Sequence, residues 1–401
     1  MEGSMKFRMS SPDLTDADRE AVAGVLQTPN LSMGPKIEAF ERAFCELTDA
    51  AHAIGVNSGT AGLHLCVRAA AVGPGDLVIT TPFSFVASTN VILFEKAVPV
   101  FVDVEPQTGN IDTAQLEKAV VDLLQGGQAA QRWLPRTLPA VNEGRLGRLK
   151  AILPIDVFGQ PADYDRINAI AKRNDLVVIE DSCEALGAAY KDRPAGMLGD
   201  MGVFAFYPNK QITTGEGGMI LTDNREAADL MRALRNQGRA PGDTWLQHTH
   251  MGYNFRMSEI NAALGLSQLA RLDKLLAKRE QVANWYREYL RSVEGVSPPE
   301  IVDTTTRTSW FVYVIRLEAG IERDKLVQHL EARGVPVRPY FAPIHLQPYM
   351  IEMFGYQPGA YPVTEDLGNR SLALPFSGMM TEAEVAGICQ HIRDAIEQVR
   401  G

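Results

Sequence analysis

From about residue 36 to 235, short apolar runs alternate with stretches whose apolar residues recur at helical spacing, and this rhythm restricts the fold more than any other feature. Leu77–Thr81, Val98–Val104, Ala151–Ile155, Leu176–Glu180, Gly202–Phe206 and Gly218–Thr222 read as strands. Lys36–Leu47, Leu63–Ala71, Ser84–Glu95, Thr113–Leu124, Tyr164–Arg173 and Arg225–Arg235 read as helices; the first puts Ile37, Phe40, Phe44 and Leu47 on one face. Strands alternating with helices build an α/β fold around a mainly parallel sheet, and ligands bind such sheets at the carboxyl ends of the strands.

A long helical run, 258–290, leads out of this region. The remainder mixes a strand at Trp310–Leu317 with helices at Arg323–Arg333 and Glu382–Val399, a smaller α+β unit. The expected division is a large domain over 1–257 and a linking helix with the small domain over 258–401. Residues 125–149 lack periodicity and contain Pro135 and Pro139. They read as an inserted loop, solvated decoration rather than a shaper of ligand choice. Residues 1–5 read as an added leader and are left out of the fold.

Two strand ends carry chemistry. After Gly202–Phe206 comes Tyr-Pro-Asn-Lys210, then a turn containing Gly215, Gly217 and Gly218, so the Lys210 amine emerges between strands instead of on a solvated helix face. Asp181 follows the apolar run Leu176–Glu180, with Glu180 pointing to the opposite face. A lysine able to form a Schiff base and an acid able to hold a pyridinium nitrogen are what pyridoxal 5′-phosphate (PLP) chemistry needs. Ser58-Gly59-Thr60 precedes a helix, where free amides favour a phosphate; a simple N-cap accounts for the same residues. Phe85, just past another strand end, is a candidate to stack on the cofactor ring, although an aromatic at helical spacing is more often a core residue.

Other chemistries lack their motifs. The chain has no Gly-x-x-x-x-Gly-Lys-Ser/Thr, no early Gly-x-Gly-x-x-Gly and no His-Glu-x-x-His, and the pair His248 and His250 has no third ligand nearby, so no metal is expected. A net charge of −10 argues against nucleic acid or anionic membrane as a partner. Four scattered cysteines, Cys45, Cys66, Cys183 and Cys389, form no disulfide framework and fit a reducing cytoplasm.

Five segments together resemble the DegT family of PLP-dependent sugar aminotransferases: Asn57–Ala61, Thr81–Phe85, Glu180–Gly187, the stretch around Lys210, and Gly252–Ala263. The resemblance runs nearly the whole chain in order. It implies the aspartate-aminotransferase-like fold (fold type I), a homodimer sharing its active sites, and amination of a keto group on a nucleotide-linked sugar, with glutamate as the usual amino donor. It assigns Lys210 to the Schiff base, Asp181 to the pyridine nitrogen, Phe85 to ring stacking, and Gly59 with Thr60 to the phosphate. Asn254 matches a residue that reaches the cofactor phosphate of the neighbouring subunit, with Arg256 close by on the substrate side. Glu184 stands where many relatives have Gln or His near the cofactor hydroxyl, and Ala205 where many have a phosphate-binding serine. Arg338, Tyr340 and His345 fall in a stretch resembling the family's substrate-side strand.

Within the family a dehydratase branch replaces the lysine by histidine, and Lys210 favours transamination. A non-catalytic regulator on the same fold is the third class, opposed by the intact Lys210 and Asp181. The Glu180–Gly187 and Lys210 segments are similar to 4-aminotransferases of the perosamine type, and with the usual substrates of the family this makes a 4-keto-6-deoxy sugar nucleotide the expected acceptor. Cyclitols, simple amines and other ketones are the alternatives.

Overall fold

The computed structural model describes residues 7–138 and 146–400. Its centre is a seven-stranded sheet. The strands, with those of the two smaller sheets, are β1 (His52–Val56), β2 (Leu77–Thr80), β3 (Val98–Phe101), β4 (Leu149–Ile152), β5 (Val177–Asp181), β6 (Ala189–Tyr190), β7 (Arg193–Pro194), β8 (Met201–Ala205), β9 (Gly218–Thr222), β10 (Val296–Ser297), β11 (Thr305–Arg307), β12 (Tyr313–Leu317) and β13 (Ser371–Leu374). The central order is β1-β9-β8-β5-β4-β2-β3. The four pairings from β8 through β3 are parallel, and β9 runs against both its neighbours. All strands but β9 therefore end at one edge.

Both faces of this sheet are covered. Val78, Ile179, Val203 and Ile220 belong to one core, packed with the helix Gly59–Ala69. Leu77, Ile79, Ile152 and Val178 belong to another, packed with the helices Thr113–Gln125 and Tyr164–Arg173. Neighbours along a strand fall in opposite cores, as the two-residue pleat requires, and double burial explains why these strands read as unbroken apolar runs.

A second, antiparallel sheet, β10-β12-β13, packs its Tyr313, Ile315, Leu317, Leu372 and Leu374 against the helices Leu272–Leu290, Arg323–Ala332 and Glu382–Arg400. The short sheet β11-β6-β7 joins this part of the chain to the large sheet's side. Phe7 lies in the same core as β12, with its N–H donated to the Gly334 carbonyl, and the Phe376 N–H is donated to the Met9 carbonyl. The amino-terminal segment thus straps the carboxyl-terminal layer.

Three sequence expectations change in detail. The run 258–290 is two helices, Glu259–Leu269 and Leu272–Leu290, broken at Ala270 and Arg271. Strand β1 and the helix Asp16–Leu26 were not expected. The 125–149 insertion is not plain solvated decoration: Trp133, Leu134 and Leu138 pack on the core that contains Phe354, and the Trp133 indole N–H is donated to Asp122 at 2.7 Å. Of that insertion, 139–145, and with them the expected leader at 1–5, lie outside the described residues. Among the described residues no helix is long and apolar enough to cross a membrane.

Candidate active site

Lys210 lies in the hairpin joining β8 to β9, closed by the Phe206 N–H on the Gly217 carbonyl and the Thr214 N–H on the Phe206 carbonyl. Its side chain is only 13% exposed, and its Nζ stands 3.9 Å from Glu184 Oε1 and 3.7 Å from the centre of the Phe311 ring. Tertiary packing has turned a loop lysine into an enclosed amine.

Asp181 ends β5, the strand beside β8. Both its oxygens are held: Ser88 Oγ donates to Oδ2 at 2.6 Å, and the Cys183 N–H to Oδ1 at 3.2 Å. Ser88 sits in the first turn of the helix Ala87–Phe94, so the strand end after β2 reaches across to the strand end after β5. Glu180 faces the other way, buried, and accepts the N–H groups of Leu198 and Gly199.

Glu184 is buried, with Oε2 accepting the Phe158 N–H at 2.9 Å. Burial pushes its carboxyl up to about 7, and the Asp181 charge adds to this, while Lys210 and the Phe158 N–H pull the other way. Glu184 thus senses both Lys210 and Asp181. Tyr340 joins them: it stacks with Phe158 and Phe341, and burial and then the Glu184 charge hold its phenol above the usual range.

The helix Gly59–Ala69 begins where β1 ends. Ser58 Oγ accepts the Ala61 N–H at 3.1 Å, a true N-cap, while the N–H groups of Gly59 and Thr60 have no hydrogen-bond partner among the described residues. A Cβ at Gly59 would come within 2.7 Å of Ala205 Cβ and 2.9 Å of Cys183 Sγ, so only glycine fits the turn against β8 and the loop after Asp181. The two readings of Ser58–Thr60 are therefore compatible: the serine caps and the next two amides stay free.

Phe85 is 64% exposed while Phe83 beside it is buried, so Phe85 is not a core residue. Asn254 also has an exposed side chain, and its carbonyl accepts from Asn57 Nδ2 next to the Ser58 turn. Arg256 pairs in the backbone with Val56 and donates from Nη1 to Asn236 Oδ1 at 3.0 Å.

Two expected residues are not brought to this group. His345 is fully buried, its Nε2 3.0 Å from Glu365 Oε1 and its ring against Tyr361, so it ties its own turn to the start of the helix Pro362–Arg370. Arg338 bridges Ala373 through its backbone, while its guanidinium reaches the Val337 carbonyl and lies 3.7 Å from Glu331 on the exposed side. Sequence reasoning in turn missed Ser88, Phe158 and Phe311. Ser88 was within reach of it, as a hydroxyl one helical turn past Ser84 at a strand end. Phe158 and Phe311 reach the site through tertiary packing, which no local pattern announces.

The model of the DegT/DnrJ/EryC1/StrS aminotransferase family matches residues 12–393. The chain belongs to this family. Among curated relatives in it, the GDP-perosamine synthase of Caulobacter vibrioides is 37% identical over 390 residues, covering 95% of both proteins. A solved DegT/DnrJ/EryC1/StrS aminotransferase from Brucella abortus is 33% identical, with a TM-score of 0.83 over 94% of this chain and 95% of that one. The Helicobacter pylori aminotransferase of pseudoaminic acid biosynthesis is 28% identical, with a TM-score of 0.85 over 98% and 99% of the two chains. A Streptococcus pneumoniae protein described as a sugar aminotransferase, solved in its PLP form, has a TM-score of 0.86 at 27% identity, over 99% and 100%. The fold class and family expected from the sequence are those observed.

The residues fit PLP on their own geometry. An enclosed amine, a carboxylate anchored on both oxygens, two free amides at a helix start and an exposed aromatic ring match an aldehyde, a ring nitrogen, a phosphate and a ring face.

Proposed function

We propose that this chain is a PLP-dependent aminotransferase that moves an amino group from a donor, glutamate by family usage, to the keto group of a 4-keto-6-deoxy nucleotide sugar. The observation that carries the transaminase reading is the Lys210 amine and the anchored Asp181 carboxylate at the ends of two neighbouring parallel strands. The acceptor rests on likeness to proteins named as sugar aminotransferases, above all the Caulobacter GDP-perosamine synthase.

When bound, PLP supplies an aldehyde for covalent attachment and a ring that draws off the electron pair left by a departing proton. Lys210 Nζ would hold the aldehyde carbon at rest and, once displaced by the donor amine, carry the proton from substrate carbon to cofactor carbon. Asp181, oriented by Ser88 and the Cys183 N–H, would keep the ring nitrogen's proton in place. Gly59 and Thr60 N–H groups would take the phosphate, Phe85 would cover the ring, and Glu184 would lie beside Lys210 on the hydroxyl side. Tyr340, stacked on Phe158, whose N–H is donated to Glu184, would be the acceptor-side residue.

The same reading makes the enzyme a homodimer, in which Asn254 reaches the partner's cofactor phosphate with Arg256 nearby; the exposure of Asn254 and Phe85 supports a second copy covering this edge. A cytoplasmic location goes with nucleotide-sugar substrates.

The purified protein is expected to be yellow, to bleach with glutamate, and to recover colour with a 4-keto-6-deoxy sugar nucleotide. Lys210→Ala should fold and lose turnover. Full activity in that variant would overturn the assignment, and recovery only with cyclitol or simple ketones would overturn the acceptor alone.

A further inference from the structure

We infer that Arg279 is a positioning residue for the Lys210 amine, acting through the Phe311 ring; this rests on the reading of Lys210 as the catalytic lysine. Arg279 lies on the inner face of the helix Leu272–Leu290 and is buried. A buried cation normally sits against a carboxylate. Arg279 has none within ion-pair distance among the described residues; its hydrogen bonds go to backbone carbonyls.

The four bonds divide evenly between two loops. Nη1 donates to the Trp310 carbonyl at 3.1 Å and the Phe311 carbonyl at 3.2 Å. Nη2 donates to the Asn209 carbonyl at 3.2 Å and the Lys210 carbonyl at 2.7 Å. One rigid planar fork therefore fixes the Lys210 backbone relative to the Phe311 backbone, two segments about a hundred residues apart in sequence. Trp310 adopts a φ of 50°, a left-handed conformation costly for a bulky side chain, and the fork grips that turn at its carbonyl.

What the fork sets is the distance from ring to amine. Phe311 is buried and its ring centre lies 3.7 Å from Lys210 Nζ, with Glu184 Oε1 on the amine at 3.9 Å. The ring attracts the amine by its π face and closes off one side of it, so the amine keeps one place whenever it is not covalently engaged. A lysine at position 279 carries its three donors on one freely rotating nitrogen and cannot reproduce the fixed spacing of the fork across the two loops.

The test uses the full chain with Arg279→Lys and Phe311→Leu, the second leaving every Arg279 bond intact. In cofactor-free protein, both variants should raise the rate at which trinitrobenzenesulfonate labels Lys210, read by peptide mass mapping. In the holoenzyme, both should lower kcat by roughly 10- to 100-fold with donor KM little changed, and alter the visible circular dichroism of the cofactor. If Arg279→Lys does not fold, Phe311→Leu alone decides. Wild-type labelling and turnover in Phe311→Leu overturn the inference. So does an Arg279→Lys protein that melts lower but labels Lys210 at the wild-type rate, since that is a purely structural role. A protein that binds no PLP would refute the transaminase reading, while the labelling result would still judge the ring's hold on Lys210.

Discussion

Replacing Glu184 by glutamine tests the electrostatics of the site with almost no change of shape. In the folded protein the Glu184 carboxyl is pushed up to about 7 from an ordinary 4.5, chiefly by burial. The folded state therefore holds this proton more tightly than the unfolded chain does. Its contribution is fully present below about pH 4.5 and is lost as pH rises to about 7; above that, the buried anion costs roughly 2.5 × 1.36, or about 3 kcal/mol. Glu184→Gln removes that slope and leaves an amide oxygen to accept the Phe158 N–H. At ~2.1 cal/mol/K per residue, 401 residues give roughly 0.8 kcal/mol/K, so the full effect is about 4 °C in Tm. Melting cofactor-free wild type and variant between pH 5 and 8 should show the variant gaining on the wild type by about 3 °C as pH rises, since part of the effect is already spent at pH 5. A Tm difference independent of pH would mean that Glu184 titrates as an ordinary surface carboxyl, and the reasoning would fail.

Ser88→Ala strips Asp181 Oδ2 of its donor and should weaken PLP binding about tenfold, measured by cofactor release on dialysis; unchanged retention would show that Asp181 needs no anchor. Ser182 Oγ lies 2.7 Å from Asp156 Oδ2 and 2.6 Å from Glu180 Oε1, yet it has one proton to give, so one carboxyl must carry another. Backbone amides favour Glu180 as the anion, and burial and the Glu180 charge hold Asp156 well above the carboxylate range. Asp156→Asn should then keep the fold and the wild-type Tm while a protonated-carboxyl infrared band disappears, and a strongly destabilised Asn variant would contradict this. His345→Gln should cost about 1–3 kcal/mol of stability and leave acceptor KM unchanged; a large rise in KM would return His345 to the acceptor side.

Legibility followed the range of the interactions. Strands buried on both faces, such as β5 and β8, announce themselves because double burial forces unbroken apolar runs. Lys210, Asp181 and Gly59 were readable because strand ends in a parallel sheet share one edge, so sequence position translates into proximity. Strand β1, His-Ala-Ile-Gly-Val, was not, since its histidine and glycine dilute the pattern and its place in the sheet comes from pairing with β9. The stretch from Arg338 to His345 forms only an isolated bridge at Arg338 and a short turn at Ile344–Leu346, and where the two side chains turn is set by Glu331, Glu365 and Tyr361, which the motif does not contain. The packing of Trp133 and Leu138 was hidden in the same way, because an irregular loop carries no period by which to recognise a buried face.

The strap at the start of the chain bears on the order of events during synthesis. Phe7 and Met9 are synthesised more than three hundred residues before their backbone partners, Gly334 and Phe376. The large sheet can be assembled from residues 52–222 while the strap still has nothing to bind. Closing the carboxyl-terminal layer over the strap is therefore a late step that must join segments more than three hundred residues apart.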